Sequence, residues 1–320
     1  MDRRDLVRSV KSVGSVRGMR AVRAAWRHRR TGGRAPAPGG AGRARVPGLL
    51  AGAEPGPGGG VARFARSTLR IEVAVGGAVF WSWDGAGPLP SYALPGAAPE
   101  PDPRARREPG SDGGLQVVSE RLTVAVSRQG AVELRTPGGV LLRRELPPRW
   151  WEPVDGGAAR WAQRSEVPAD ARFFGPGGRA DGPRLRGGTY RLWDADAGGR
   201  PGPEGDPPCL AMPVQMVVSD GGTHLLFHDN GRAGRVTLRE GEEGAGSGHD
   251  RPGGCEVRME GGPLRCWAVV GTPARVLRGW AALTGAPAVP PSWVLDGQDG
   301  GGVPVPYPVR VRGLPARGQR

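Results

Sequence analysis

Residues 185–230 read LRGGTYRLWDADAGGRPGPEGDPPCLAMPVQMVVSDGGTHLLFHDN, and this run decides the fold. A strand-like segment with an acidic tip, Tyr190 to Asp196, enters a long Gly/Pro loop. An apolar strand from Pro213 to Ser219 follows, then a turn at Asp220-Gly221-Gly222 and a second strand from Thr223 to Asp229. Two extended segments around a Gly-rich turn form a β-hairpin.

Working outward from the hairpin, the chain keeps a period of two. Upstream, Ala62 to Val75 and Ala78 to Trp83 are strand candidates separated by Gly76-Gly77, and a proline-rich stretch, 85–114, interrupts the pattern. Leu115 to Glu120, Leu122 to Ser127, Ala131 to Arg135 and Val140 to Arg144 then follow at the short spacing of an antiparallel meander. Downstream, Arg235 to Arg239, Cys255 to Met259 and Leu264 to Val270 continue the strands across a charged, Gly-rich loop at 240–254. One helix closes the body. Thr272 suits its N-cap, Pro273 its first position and Gly285 its end, and Val276, Leu277, Trp280 and Leu283 form its apolar stripe. The 57 glycines and 34 prolines show no collagen period, which fits many short strands joined by turns.

A formal charge of +14 normally points to nucleic acid or an anionic membrane. Its location argues otherwise. Residues 1–50 hold 13 basic and 2 acidic side chains, net +11, and residues 296–320 hold 4 and 2, net +2, which leaves about +1 for residues 51–295. Lys11 is the only lysine, and Ile71 and Asn230 are the only residues of their types, a skew that GC-rich codons produce. Within the basic segment, Leu6, Val10, Val13, Val16, Met19, Val22 and Trp26 recur at helical spacing, so residues 5–30 read as an amphipathic helix, weakened by Gly14 and Gly18. This arm either docks on its own protein or meets an anionic surface. Residues 31–60 read as Gly/Pro linker. No stretch approaches the ~20 apolar residues of a membrane span, and the N-terminus lacks the apolar core of a signal peptide, so the expected location is cytoplasmic.

Cys209, Cys255 and Cys266 are odd in number and lack CxxC spacing, which argues against a disulfide scaffold and a structural metal site. His224 and His228 sit four residues apart on one strand, about 13 Å, too far to share a metal ion or act as a pair. No cofactor and no metal is expected. Trp150, Trp151 and Trp161 cluster in RWWEPVDGGAARW. They read either as a stacking platform for sugar rings or as core and edge cover.

Taken in order, five blocks resemble the N-terminal part of glycoside hydrolase family 31, the α-glucosidase and α-xylosidase family: the strand-rich lead-in from Val61, ARFFGPGGRA (171–180), LRGGTYRLWDAD (185–196), PVQMVVSDGGTHLLFHDN (213–230) and VVGTPARVLRGWAALTGAPAVPPSWVL (269–295). The resemblance implies a mainly β fold, an antiparallel galactose mutarotase-like β-sandwich over 61–285. The basic helical arm and linker at 1–60 would precede it, and the start of a barrel with a divergent tail at 286–320 would follow. It also implies a family activity, hydrolysis of O-glycosyl bonds in α-linked glucosides.

In the family a TIM barrel begins just after the segment matched here by Pro290 to Trp293. About 25 residues remain after Leu295, whereas such a barrel needs ~250. The two carboxylates of a retaining glycosidase are expected on that barrel, so no residue of this chain is assigned a catalytic role. The resemblance does place a loop that touches the sugar just after Trp193, with Asp196 as the first candidate contact and Asp194 as the second; the alternative is that both are solvated turn residues. The expected partner is an α-linked carbohydrate, held weakly or only together with a barrel, with no specific nucleic acid.

The sequence departs from the family pattern in two places. Gly178 stands where an acidic residue usually follows the Gly-x-Gly of the ARFFGPGG block, and residues 296–320 turn into Gly, Pro and Arg, as a frameshift or truncated gene model would produce. Three rival functions remain: a non-catalytic carbohydrate-binding or structural module, a mutarotase or epimerase built on a histidine and a carboxylate, and anionic-surface binding through the basic arm.

Overall fold

The computed structural model describes residues 44–91, 93–152, 159–175, 184–192, 213–244 and 248–286. The expected N-terminal helix at 5–30 and the tail at 296–320 lie outside the described residues. Strands β1 (Leu50–Gly56) and β2 (Gly59–Phe64) pair antiparallel and begin inside the stretch read as linker. β1, LAGAEPG, has no apolar alternation and stays mostly exposed; its pairing with β2, not its own pattern, makes it a strand. The single strand expected over Ala62 to Val75 is broken after Phe64, whose N–H donates to the Ser67 carbonyl at 2.8 Å. β3 (Thr68–Val73) then returns along β2, and β4 (Val79–Trp83) follows across Gly76-Gly77. Both of those glycines have positive φ, 94° and 87°, a conformation that costs a glycine little.

The meander appears as expected. β5 (Arg106–Pro109), β6 (Leu115–Val118), β7 (Thr123–Val126), β8 (Val132–Arg135) and β9 (Leu141–Glu145) pair antiparallel in sequence. The register slips by one residue between β8 and β9, with Leu134 opposite Arg143 but Arg135 opposite Leu141. Leu142 is thus a bulge. Leu142 and Arg143 both end up buried. β10 (Arg149–Trp151), β11 (Arg160–Val167), β12 (Arg172–Phe174), β13 (Arg184–Leu185) and β14 (Gly188–Leu192) precede the hairpin. The hairpin itself is β15 (Val214–Ser219) and β16 (Gly222–His228). Ser219 pairs with Gly222 across a two-residue turn, Asp220-Gly221. β17 (Gly234–Arg239), β18 (Gly253–Met259), β19 (Arg265–Gly271) and helix α1 (Pro273–Thr284) complete the described chain.

These strands form two antiparallel sheets. One runs β1-β2-β3-β4-β19-β16-β15-β12-β13, and the other β14-β17-β18-β11-β9-β8-β7-β6-β5, with β10 on the free half of the same β11 edge that β9 occupies. Between the sheets lies the main core, including Leu69, Ile71, Trp81, Val117, Leu134, Phe173, Leu226 and Val257. A second core on the outer face of the first sheet joins Phe80, Leu225, Phe227, Trp267 and Val269 to Val276 and Leu283 of α1. β4, β16 and β19 are therefore covered on both faces. This explains their near-continuous apolar runs, VFWSW, THLLFH and CWAVV. The architecture is the mainly β sandwich that the sequence predicts.

The helix matches its sequence signals at both ends. Thr272 Oγ1 accepts from the Arg275 N–H at 3.4 Å, and Gly285 has φ 87°. Its stripe is narrower than predicted. Val276, Trp280 and Leu283 face the sheet, with Trp280 edge-on to Phe227 at 5.2 Å, while Leu277 is 53% exposed. One residue of helix turns a side chain by about 100°, which takes Leu277 off that face.

Candidate functional site

The expected sugar-contacting segment starts where β14 ends. β14 is the edge strand of the second sheet and pairs with β17, Tyr190 opposite Val236 and Leu192 opposite Gly234. Leu192 is fully buried. A side chain on Gly234 would collide with the Met259 sulfur and the Arg258 carbonyl, at 2.3 and 2.6 Å from its Cβ, so glycine is required across from Leu192. The start of the strand is pinned as well. The Arg186 N–H donates to the Tyr190 hydroxyl at 3.1 Å, that hydroxyl donates to the Arg186 carbonyl at 2.7 Å, and Thr189 and Thr237 share a 3.0 Å hydrogen bond. Trp193, Asp194 and Asp196 themselves lie outside the described residues, as does Gly178.

The histidines have a different setting from the one a sugar epimerase needs. His224 and His228, 1% and 3% exposed, face the inter-sheet core, sealed from any ligand. His228 stacks on Trp161 with ring centres 6.1 Å apart, and the Nε2 of each histidine is buried without a hydrogen-bond partner. Burial, reinforced by the Arg143 charge, pushes the pKa of His224 well below its ordinary value and that of His228 down to about 3. Burial also pushes the Cys255 and Cys266 thiols up, and that of Cys266 far up. Neither sulfur is a nucleophile in this state.

A polar network lies beside these groups. Arg143, entering from the β9 bulge, donates to Glu145 Oε1 at 2.6 Å, to Ser165 Oγ at 2.6 Å and, across to the other sheet, to Gln215 Oε1 at 2.8 Å. Gln215 in turn donates to the Cys255 sulfur at 3.4 Å. Burial is the largest single influence on Arg143 and works against its charge, but the Glu145 carboxylate and the Cys255 sulfur together outweigh it and hold the guanidinium above its ordinary pKa. The network has no access to solvent, and its geometry is that of a tie between sheets. LLRRE gives no sign of it in the sequence, because only the bulge turns Arg143 inward.

The three-tryptophan platform reduces to one residue. Trp150 and Trp161 belong to the core, and Trp151 alone is partly exposed, lining a surface groove. Trp83-Asp84-Gly85, which resembles part of a glycosidase nucleophile motif, is a strand end and turn. Asp84 has φ 57° and is tied to Arg45 at 2.9 Å. Among the described residues, no cluster of histidine, cysteine and carboxylate side chains could hold a metal ion, and no helix is long and apolar enough to cross a membrane.

Comparison with known proteins accords with this architecture. The family model for the glycosyl hydrolase 31 N-terminal galactose mutarotase-like domain matches residues 61–236, just over half of the chain. No curated protein matches. Among solved structures, a mutant of a family 31 dextranase from Flavobacterium johnsoniae, complexed with isomaltotriose, is 18% identical with a TM-score of 0.57. The match covers 78% of this chain and 30% of the dextranase. A glucosidase II α subunit is 14% identical with a TM-score of 0.59, over 75% of this chain and 34% of its own. The chain therefore spans about a third of the length of these enzymes.

Proposed function

Because the chain belongs to glycoside hydrolase family 31 through its N-terminal galactose mutarotase-like domain, we propose that it serves as the sugar-facing β-sandwich of an α-glycosidase. In this reading residues 1–320 do not turn over substrate by themselves, and the nucleophile and general acid/base of the family reaction come from a catalytic barrel. The sandwich occupies 61–285, extended by β1 and the start of β2. The arm and linker precede it and residues 286–320 lead toward the barrel. The pair of free, buried cysteines among the described residues supports a reducing, cytoplasmic setting.

The observation that carries the reading is the position of LRGGTYRLWDAD. Its described part, residues 185–192, includes a pinned edge strand whose last residue, Leu192, is buried, and Trp193 to Asp196 follow directly in the sequence. We assign Asp196 as the first sugar contact and Asp194 as the second, with carboxylate oxygens accepting hydrogen bonds from sugar hydroxyls. Hydrogen bonds to a charged group contribute about 1.5–3 kcal/mol. Asp196→Asn should therefore weaken binding of isomaltotriose about tenfold in saturation-transfer NMR, and Asp194→Asn should weaken it less. Unchanged isomaltotriose binding in both variants would remove the assignment.

A further inference from the structure

We infer that the outer face of the second sheet carries a separate binding groove for an anionic sugar unit, a pyranose bearing a carboxylate. The groove has a volume of about 520 Å³ and is lined by described residues. Its floor is Ala162 on β11, and around it stand Trp151 and Arg149 from β10, Arg164 from β11, and Arg258 and Glu256 from β18. The opposite wall, Val46 to Leu49, is held in place by Arg45, which lies over the Trp150 ring at 4.4 Å and bonds Ser67 and Asp84.

The register shows why this face is unusual. One row of directly opposed residues runs Arg149, Ala162, Arg258, Arg235 and Arg191 across β10, β11, β18, β17 and β14. Like charges directly opposite each other on neighbouring strands, ~5 Å apart, destabilise a sheet. Within the groove, three arginines stand against Glu256, which pairs with Arg258 and lies 3.5 Å from Arg164. Among the described residues the lining thus has a surplus of two positive charges. An anion complements that surplus, and the guanidinium fork matches a carboxylate in bidentate geometry.

The remaining lining selects the rest of the ligand. Trp151 is partly exposed and projects from the same side of β10 as Arg149, so a ring stacked on it lies within reach of the arginines. Glu256 supplies acceptors for hydroxyl donors, which a sugar offers in number. A phosphodiester chain offers few such donors, so the lining favours a hydroxyl-rich anion over a nucleic acid. The small side chain of Ala162 leaves the space that the ring fills.

The inference does not depend on the rim at Trp193 to Asp196, and its test keeps the two apart. The full chain is titrated with tetragalacturonate, with maltotetraose as the neutral comparator, a sulfated disaccharide as a second anionic sugar, and an eight-nucleotide oligothymidylate. Binding is read by calorimetry and tryptophan fluorescence. Tetragalacturonate is expected to bind at least tenfold more tightly than maltotetraose and than oligothymidylate, with an affinity that falls on raising the salt. Arg149→Gln, at an exposed position, and Trp151→Ala should each weaken tetragalacturonate binding at least tenfold, and Asp196→Asn should leave it unchanged. Comparable binding of the sulfated disaccharide, lost in the same variants, supports the groove and widens the anion to sulfate. Equal affinity for maltotetraose, tighter binding of oligothymidylate, or tetragalacturonate binding that survives Arg149→Gln, as attachment to the basic N-terminal segment would, overturns the inference.

Discussion

Replacing Arg143 with alanine should destabilise the chain by about 3–5 kcal/mol, read as a lower urea midpoint in equilibrium unfolding. Arg143 is 1% exposed and Glu145 2%, and the pair lies between the sheets. Removing the guanidinium leaves a carboxylate buried without a counter-charge, which costs far more than the intact pair contributes. Ser165 and Gln215 lose a donor in the same step, and each unsatisfied buried group adds a further cost. Replacing both charges with apolar residues of similar volume, Arg143→Met with Glu145→Leu, should restore at least half of the loss, because no charge is then stranded. A cost below about 1 kcal/mol for Arg143→Ala, or a double variant no better than the single one, would show that the network does not hold the sheets together.

Acid should unfold the chain earlier than its carboxylates require. The pKa values of His224 and His228 in the folded chain lie below the ordinary 6.5, with that of His228 at about 3. Above pH 6.5 both histidines are neutral whether folded or unfolded, and they cost nothing. As pH falls below 6.5 the unfolded chain takes up protons that the folded chain refuses, so stability is lost progressively until pH passes the folded pKa. Each histidine removes up to about 1.4 kcal/mol per pH unit. His228 alone removes about 2 kcal/mol between pH 6.5 and 4.5, and His224 adds a loss in the same direction, a large share of the whole stability of many domains. The groups around them reinforce this: Arg143 from β9 opposes protonation, while Glu145 forms its pair with that arginine. Asp102, whose pKa is lowered first by the backbone N–H of Arg104, and Glu54, lowered by Arg63, titrate from ordinary values of 3.8 and 4.5, below this window. Urea unfolding at half-unit pH steps should show an uptake of more than one proton on unfolding near pH 5, about one from His228 and the rest from His224. His224→Gln with His228→Gln should reduce that uptake to near zero. An uptake that persists in the double variant would place the acid sensitivity elsewhere.

The hairpin and the meander were legible because each strand carries its own period and each turn its own glycines. Helix α1 was legible for a similar reason, since Thr272, Pro273 and Gly285 mark both ends locally. β1 was not, because LAGAEPG has no pattern and becomes a strand only by pairing with β2. Arg143 was hidden by a one-residue bulge, and charged side chains are by default expected outside. The arginine row was hidden for another reason. Its members are 149, 191, 235 and 258, and only the register of five strands brings them into line. Of the candidate site, the edge strand β14 was legible only in part: the strand-like run expected from Tyr190 starts two residues earlier, at Gly188, where pairing with β17 makes a strand that the sequence pattern does not signal. The two carboxylates beyond it rest on the family motif, which fixes where they stand in the sequence.

In the proposed function this chain presents a sugar-binding rim without carrying out hydrolysis. This reading is tested most directly by incubating purified residues 1–320 with isomaltotriose and with p-nitrophenyl α-glucoside, measuring sugar contact by saturation-transfer NMR and product release in the same samples. Contact with isomaltotriose that weakens in Asp196→Asn is expected, with no release of glucose or nitrophenol above the buffer rate. Sustained release of either product by the chain alone would contradict it.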